Sequence, residues 1–432
     1  MSEPIVVIGG GPAGAVISAM LAKEGVPVTL LEKEQFPRHH VGESLQPAVL
    51  EILDRHLGLG PAIKAAGFPR KYGAVYVWGE SREPWSVLFD PRLDNALPAD
   101  EEALLAGDYL HTYNVDRSRF DAILLGEARR RGVDVQHGVE VAAPIMEGER
   151  VVGVTTKDGQ AVRAGMVVDA SGQRCLLGRA FGLTRVVEDL QATATYAYYQ
   201  GAGGLDGPLG RHVQYVVTVP DGWVWFIPIS AELTSVGVVV RERKRLSEER
   251  FLAMVAQAEL PLNDAAIEGP FHTARDWSFT HRKLAGPGWL LAGDAACFID
   301  PILSGGVDFA VRGGADAALC ILRLQSAENP EDEAAILSEY DASGQRFFKA
   351  HLKLARYWYG NNRSAHGFFW QAHQVVRSDA ISTPLRAFVY LTSGQYAADQ
   401  HFRVFQQWQE EKMFRALGVD AERLKATWRK RR

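Results

Sequence analysis

Gly9-Gly10-Gly11-Pro12-Ala13-Gly14 is the first stretch of this chain whose residue types and spacing imply chemistry. It fits G-x-G-x-x-G, in which Gly9 permits a tight turn, Gly11 lets the backbone approach a pyrophosphate and Gly14 lets a helix pack close to a sheet. Pro12 and Ala13 stand where that helix would begin, and its amides and dipole would hold phosphate oxygens. Ile5-Val6-Val7-Ile8 precedes the glycines and suits a strand buried on both faces. A second strand over residues 26–31 would end at Glu32, an acid placed to accept hydrogen bonds from ribose hydroxyls. Taken alone, the glycines also fit a turn that binds nothing. In register with strand, helix, strand and acid they make a dinucleotide site.

Other residues point to chemistry beyond nucleotide binding. Lys71, in Gly67-Phe68-Pro69-Arg70-Lys71-Tyr72, carries a compact ammonium, and burial would lower its pKa toward the neutral form. Either state can position or carry an electrophile, although most lysines are solvated surface groups. In Trp223-Val224-Trp225-Phe226-Ile227-Pro228 the two tryptophans share one face of a strand and Val224 and Phe226 the other, a pattern that core packing alone also explains. Ser304, Gly305, Gly306 and Val307 follow Asp300-Pro301-Ile302-Leu303, and successive amides at a helix start make an anion site. Asp169 and Asp294 each follow an apolar run and fit turn or cap positions as well as ligand positions. Ser44 suits an N-cap and Pro47 the first turn of the helix after it. His39 and His40 read as surface residues, with no other His or Cys placed to complete a metal cluster.

The elements that must hold these residues form an α/β chain of 432 residues with a net charge of −5 and 47% hydrophobic residues. That size allows two or three packed units, and that charge argues against a general nucleic-acid binder. The tail Arg429-Lys430-Arg431-Arg432 reads as a solvated terminus. Cys175, Cys297 and Cys320 are distant and odd in number, which gives no disulfide framework and makes a reducing, cytoplasmic setting the expectation. No apolar run approaches the length of a membrane span, and no secretory signal is visible. Residues 1–72, 111–180 and 285–330 read as a discontinuous nucleotide-binding unit. Residues 73–110 and 181–284 alternate apolar and polar positions as a largely antiparallel sheet, and residues 331–432 are helical in pattern.

The order of these motifs resembles the flavin-dependent halogenases, through roughly the first three quarters of the chain. Leu290-Leu291-Ala292-Gly293-Asp294-Ala295-Ala296, Val168-Asp169-Ala170-Ser171-Gly172 and Val115-Asp116-Arg117-Ser118-Arg119-Phe120-Asp121 are similar to motifs of the wider FAD superfamily that also contains hydroxylases and geranylgeranyl reductases. The resemblance implies an FAD-binding Rossmann-like fold of the hydroxylase type, with an antiparallel sheet for the substrate and a C-terminal helical region. It implies a cofactor shell of Gly9, Gly11, Pro12, Ala13, Gly14, Glu32, Lys33, Arg38, Val41, Gly42, Glu43, Arg117, Val141, Asp294, Gly306 and Val307. Arg38 would pair with a cofactor phosphate, and Val41 to Glu43 would line the flavin.

The resemblance further implies that reduced FAD, O₂ and chloride or bromide yield hypohalous acid, with halide held at Ser304, Gly305 and Gly306. The acid would travel to Lys71, which directs halogen onto an activated aromatic ring, while Trp223 and Trp225 wall off the flavin. Leu303 stands where tryptophan halogenases carry a catalytic glutamate, which points to phenols, pyrroles or carrier-bound acyl groups of secondary metabolism. Gly305 stands where the family usually has Ser or Thr. A separate flavin reductase would supply reduced FAD, since one dinucleotide fingerprint is present. A non-halogenating FAD oxidoreductase, either a dehydrogenase or like the geranylgeranyl reductases, is the alternative on this scaffold, and Lys71 with the tryptophan pair speaks against it.

Overall fold

A computed structural model describes residues 3–78, 82–89, 110–204, 210–242, 244–275, 277–360 and 384–416. Ile5–Ile8 forms a strand with all four side chains buried. Ile5 and Val7 join one apolar cluster and Val6 and Ile8 another, which is what a central strand covered on both faces requires. It lies in a six-stranded sheet between Val28–Glu32 and Met166–Asp169, parallel to both. Asp134–His137 and Trp289–Leu291 extend the parallel set outward, and Ala285–Gly286 closes one edge antiparallel. The second strand starts at Val28 rather than at residue 26, because the Val26 amide still donates to the Leu21 carbonyl of the preceding helix, at 3.0 Å.

The helices Pro12–Lys23, Arg117–Arg130 and Gly306–Leu324 share the core on one face of this sheet. A three-stranded sheet that includes Val141, Val151 and Val154 covers the other. Close approach dictates Gly14: a Cβ there would stand 1.9 Å from the Gly9 carbonyl oxygen. Pro47 does open the Pro47–Leu57 helix, but Ser44 is not its N-cap. Gln46 takes that position, because Ser44 is bridged to Asn114.

A seven-stranded sheet stands beside the nucleotide unit, ordered Ala266–Arg275, Thr193–Gln200, Leu233–Val240, Gly222–Pro228, Val213–Val219, Gly73–Val77 and Pro84–Leu88. All its pairings are antiparallel except that of Val213–Val219 with Gly73–Val77. Alternation splits the central strand as its sequence predicts. Trp223, Trp225 and Ile227 face one cluster with Tyr76, Trp78, Trp358 and Phe388. Val224 and Phe226 face another, with Phe251 and Met254 of the Glu248–Gln257 helix. Trp225 is paired with Gly237, and a Cβ on that glycine would lie 2.2 Å from the indole, so the ring lies over bare backbone.

The predicted helical region holds Pro330–Gly360, Pro384–Thr392 and Gln395–Ala416. The first two cover the tryptophan face through Trp358 and Phe388, and the third returns to the Pro47–Leu57 helix. Gly79, residues 90–109, Leu417 and the basic tail lie outside the described residues. Among the described residues no helix is long and apolar enough to cross a membrane.

Candidate active site

The glycine turn leaves its helix open. Gly11 is the N-cap of Pro12–Lys23 and supplies no side-chain hydrogen bond, so the first amides of the helix point outward without a protein acceptor. Glu32 sits 4% exposed behind the turn, its oxygens accepting the Gly10 amide at 2.6 Å and the Glu34 amide at 2.7 Å. Each oxygen retains a lone pair for a hydroxyl donor. The Arg38 guanidinium lies 3.4 Å from where a Gly11 Cβ would be, at the edge of this bed. It approaches Glu34 through Nε at 3.2 Å, outside hydrogen-bond geometry, and Asp121 through Nη2 at 3.8 Å. A phosphate between Arg38 and the helix terminus would use both open donors. Lys33 is exposed and pairs with Glu34. Val141 is buried in the apolar cluster behind the sheet.

A second open helix end meets the first. Gly305 is the N-cap of Gly306–Leu324, again without a side-chain cap. A Cβ on Gly293 would come within 2.8 Å of the Ala13 Cβ and 3.4 Å of the Ala310 Cα, so the two helices and the Asp294 turn are in contact. Asp294 lies on the 3₁₀ turn Gly293–Ala295, beyond the strand end at Leu291. Burial raises its pKa to about 7, against a downward pull from Arg117. Among the described residues no hydrogen-bond donor reaches its carboxylate, which suits the hydroxyls of a ribityl chain. Asp169 differs. Its two oxygens accept the Ser171 and Leu177 amides at 3.0 and 2.7 Å, so it acts as a cap.

Arg117 fixes the segment between these ends. Its guanidinium is held by both oxygens of Asp121, at 2.8 and 3.0 Å, and donates to the Val41 carbonyl at 2.7 Å and the Gly42 carbonyl at 3.3 Å. Gly42 has φ 102°, and a Cβ there would lie 3.0 Å from the same guanidinium and 3.9 Å from Val307, so only glycine suits the crossing. Glu43 follows, 2% exposed, its carboxylate accepting the Gly42 amide and the Tyr198 hydroxyl. The Gln46 side-chain amide donates to the Leu303 carbonyl at 2.8 Å, tying this segment to the Asp300–Val307 loop. In that loop Ser304 takes the left-handed conformation, φ 53°, and its hydroxyl donates to Gln214 at 2.9 Å. Gly305 is right-handed helical, φ −83°.

Lys71 is not a surface residue. It is 2% exposed, on a two-residue strand with Arg70 that pairs with Thr112 and Tyr113. Its ammonium donates to the Leu45 carbonyl at 2.9 Å and lies 5.3 Å from the Phe89 ring centroid. Desolvation by burial lowers its pKa to about 7. The lysine therefore shares one backbone segment, residues 41–46, with the groups around Arg117.

The tryptophan face supports the loop. Trp223 donates to the Tyr359 hydroxyl at 3.0 Å, and that hydroxyl donates to Asp300 at 2.9 Å. Burial raises the Asp300 pKa to about 7, and Ile302 packs into the tryptophan cluster. Trp225 donates to Ser235. The sequence reading missed Tyr359 and Tyr198. Their only signals are an aromatic-rich helix and two tyrosines at strand spacing, Tyr196 and Tyr198, neither of which forms a motif. His39 is exposed as expected, yet its ring is hydrogen-bonded to Tyr198.

Comparison with known proteins gives this geometry a family. The family described as tryptophan halogenase matches residues 4–97 and 92–431. The tryptophan 2-halogenase of Chondromyces crocatus is 33% identical over 399 residues, covering 88% of this chain and 72% of that protein. The 1H-pyrrole-2-carbonyl peptidyl-carrier-protein chlorinase of Pseudomonas fluorescens is 34% identical over 358 residues, 78% of this chain and 79% of that one. The solved structure of the myxobacterial chondrochloren halogenase CndH, an FAD-dependent halogenase, has a TM-score of 0.76 at 32% identity and covers 91% of this chain and 90% of its own. With open helix ends, an unpartnered Asp294 and a buried lysine set in that framework, the chain belongs to the tryptophan halogenase family and is an FAD-dependent halogenase.

Proposed function

We propose that the enzyme chlorinates or brominates an activated aromatic ring, a phenol or a pyrrole, free or held on a carrier protein, and that Lys71 is its catalytic residue. The observation that carries this reading is the buried Lys71 ammonium on the Leu45 carbonyl, with a pKa near neutrality. As the ammonium that group can hydrogen-bond hypohalous acid, and as the free amine it can take up an electrophilic halogen. The Gly11–Gly14 turn and Arg38 bind the FAD pyrophosphate, Glu32 the ribose and Asp294 the ribityl chain, with Lys33 and Val141 at the margin of that shell. Bound in its reduced form, FAD would supply the two electrons that reduce O₂ to the level at which it oxidises halide to hypohalous acid. The amides of Gly306 and Val307, with Ser304 and Gly305, hold the halide at an uncapped helix terminus. Trp223 and Trp225 exclude water and organic substrate from the flavin side, and Ile302 locks the loop against them.

Leu303 supports a substrate other than free tryptophan, because an aliphatic side chain offers the indole nitrogen no acceptor. The names of the relatives divide between tryptophan and carrier-bound pyrrole, so the substrate follows from the residue and not from the names. A flavin reductase working in the cytoplasm delivers the reduced cofactor, which is consistent with three buried, free cysteines. The test is mass spectrometry of products formed with reduced FAD, O₂ and mixed chloride and bromide. The panel comprises free phenols, free and carrier-bound pyrroles, and tryptophan. Halogen on a phenol or pyrrole is expected, and halogenated tryptophan as the sole product overturns the substrate class.

A further inference from the structure

Halide oxidation consumes protons inside a closed site. Reduced FAD, O₂, halide and a proton give oxidised FAD, water and hypohalous acid. The oxygen that leaves as water must acquire hydrogen that the halide does not carry. The protein must therefore bring protons from solvent to a place it otherwise keeps dry. A row of hydrogen bonds does reach inward. The exposed His39 ring meets the Tyr198 hydroxyl at 2.8 Å through Nε2. The Tyr198 hydroxyl donates to Glu43 Oε1 at 2.9 Å. Glu43 is buried between Gly42, which adjoins Val307, and Leu45, which holds Lys71.

We infer that His39, Tyr198 and Glu43 form a proton relay that feeds the halide-oxidising site from solvent. It rests on the site assignment above, with Glu43 on the flavin side of that site. With Glu43 ionised, the phenol proton points to Glu43 and His39 donates through Nε2. In one inward transfer the His39 Nε2–H bond breaks and its proton joins the Tyr198 oxygen. The former phenol proton forms an O–H bond on Glu43. A solvent hydronium protonates Nδ1 as Nε2 gives up its proton, so the ring stays neutral. Glu43 passes its proton to the oxygen that leaves as water, and the imidazole returns to the Nε2–H tautomer by exchange with solvent. The surroundings suit each station. Burial raises the Glu43 pKa against its hydrogen bonds and the Arg117 charge, so the carboxylic acid is accessible as an intermediate. His39 stacks on His272 at 4.3 Å. Its pKa is lowered by desolvation and by His272, and Asp116 and Arg117 also face it. Tyr198 faces Tyr196, Asp116 and Glu43, which oppose its ionisation. The phenol therefore passes protons as a neutral group and is not consumed as an acid. Arg245 is the charged group facing His272. Tyr198 and His39 are positioning residues in this scheme, acting through Glu43.

Tyr198→Phe keeps the ring and removes the link. In the FAD-loaded enzyme the halogenation rate should fall at least about tenfold above neutral pH and recover on acidification, with a larger solvent deuterium isotope effect. FAD affinity, read by fluorescence titration, should stay within about twofold. A second readout uses the apoprotein: nitrogen chemical shifts of neutral His39 should report the Nε2–H tautomer, and Tyr198→Phe should abolish that preference. An unchanged pH profile and isotope effect in Tyr198→Phe overturn the relay and leave the FAD site standing. So does an Nδ1–H tautomer for His39 in the parent apoprotein. Loss of FAD affinity in Tyr198→Phe overturns it too, since the tyrosine would then prop the cofactor site rather than supply it.

Discussion

Two buried polar constellations meet the Gly306–Leu324 helix, and they are built differently. On the scaffold side, Arg312 donates to Asp316 at 2.5 Å, Asp316 accepts from His401 at 2.7 Å, and His401 meets His56 at 2.7 Å. His401 donates to Asp316 through Nδ1, so its Nε2 accepts from His56. Asp316, His401 and His56 each meet a side-chain partner in this row, and together they tie the Gln395–Ala416 helix to the two helices beneath it. On the site side, Asp294 has no donor among the described residues, and two glycine N-caps leave helix amides open. A single carbonyl takes the Lys71 ammonium. Leaving buried polar groups unpaired costs about 1–3 kcal/mol each, a cost that a ligand would offset at the site and that the Asp316–His401–His56 row avoids with its own side chains.

The largest effect that can break this contrast is at Lys71. Lys71→Ala should lower halogenated product about a thousandfold while FAD binding and O₂ consumption persist and peroxide or hypohalous acid escapes. Product analysis beside an oxygen electrode separates the two. Lys71→Arg should not rescue, because a guanidinium stays charged at every working pH. The folded pKa near 7 lies below the unfolded value, so the unfolded chain binds the extra proton between pH 7 and 10.5 and stability rises with pH across that window. Lys71→Met should remove this rise, as followed by urea titration at several pH values.

Gly11→Val should come next, at about a hundredfold in FAD affinity, or roughly 2.7 kcal/mol. The protein itself leaves space at Gly11, where a Cβ would meet only the Arg38 side chain at 3.4 Å. The variant should therefore fold with its circular dichroism unchanged and fail to bind, and normal affinity would move the cofactor elsewhere.

The closed constellation predicts the opposite kind of outcome at His56. Burial and the neighbouring His401 hold the His56 pKa at about 3, with Lys23 and Arg55 adding to the fall and Asp316 opposing it. A depressed folded pKa means that stability is present above about pH 6.5 and lost as pH falls toward 3. His56→Leu should lose about 1 kcal/mol at neutral pH, yet show a smaller further decline in Tm between pH 7 and 5 than the parent, with FAD affinity unchanged.

Gly305→Ser should have the smallest effect. Its φ of −83° imposes no left-handed strain, and the new Cβ would stand 3.1 Å from the Phe309 ring, which must shift slightly. Halide affinity should tighten several-fold, as one added hydrogen bond of about 0.5–1.5 kcal/mol allows. A halide titration of product yield reads it.

The nucleotide bed was legible because it is local. Four β-branched residues, a glycine pattern and Glu32 lie within one short span, and sterics leave few other uses for Gly14. Asp294 and the 304–307 turn were legible as motifs, since each sits at an element boundary. Ser44 was misread because a long-range bridge to Asn114 overrides its local capping preference. Asp169 looks like Asp294 in sequence, and only the amides of Ser171 and Leu177 reveal it as a cap. The burial of Lys71 depends on Phe89 and Leu45, which lie 18 and 26 residues away and carry no signal of their own. Tyr198 and Tyr359 act across 155 and 59 residues, beyond what periodicity can express.

Gly42 and Leu45 stand at the two ends of the site, with Arg117 and Val307 beside the first and the Lys71 ammonium on the carbonyl of the second. The separation of those ends is set by covalent chain: three residue steps reach at most about 10–11 Å between α-carbons. Side-chain substitution anywhere on the walls cannot lengthen that interval. Only inserting or deleting a residue can. Repainting the tryptophan face and the helices over it would therefore reshape the walls while leaving that interval as it is.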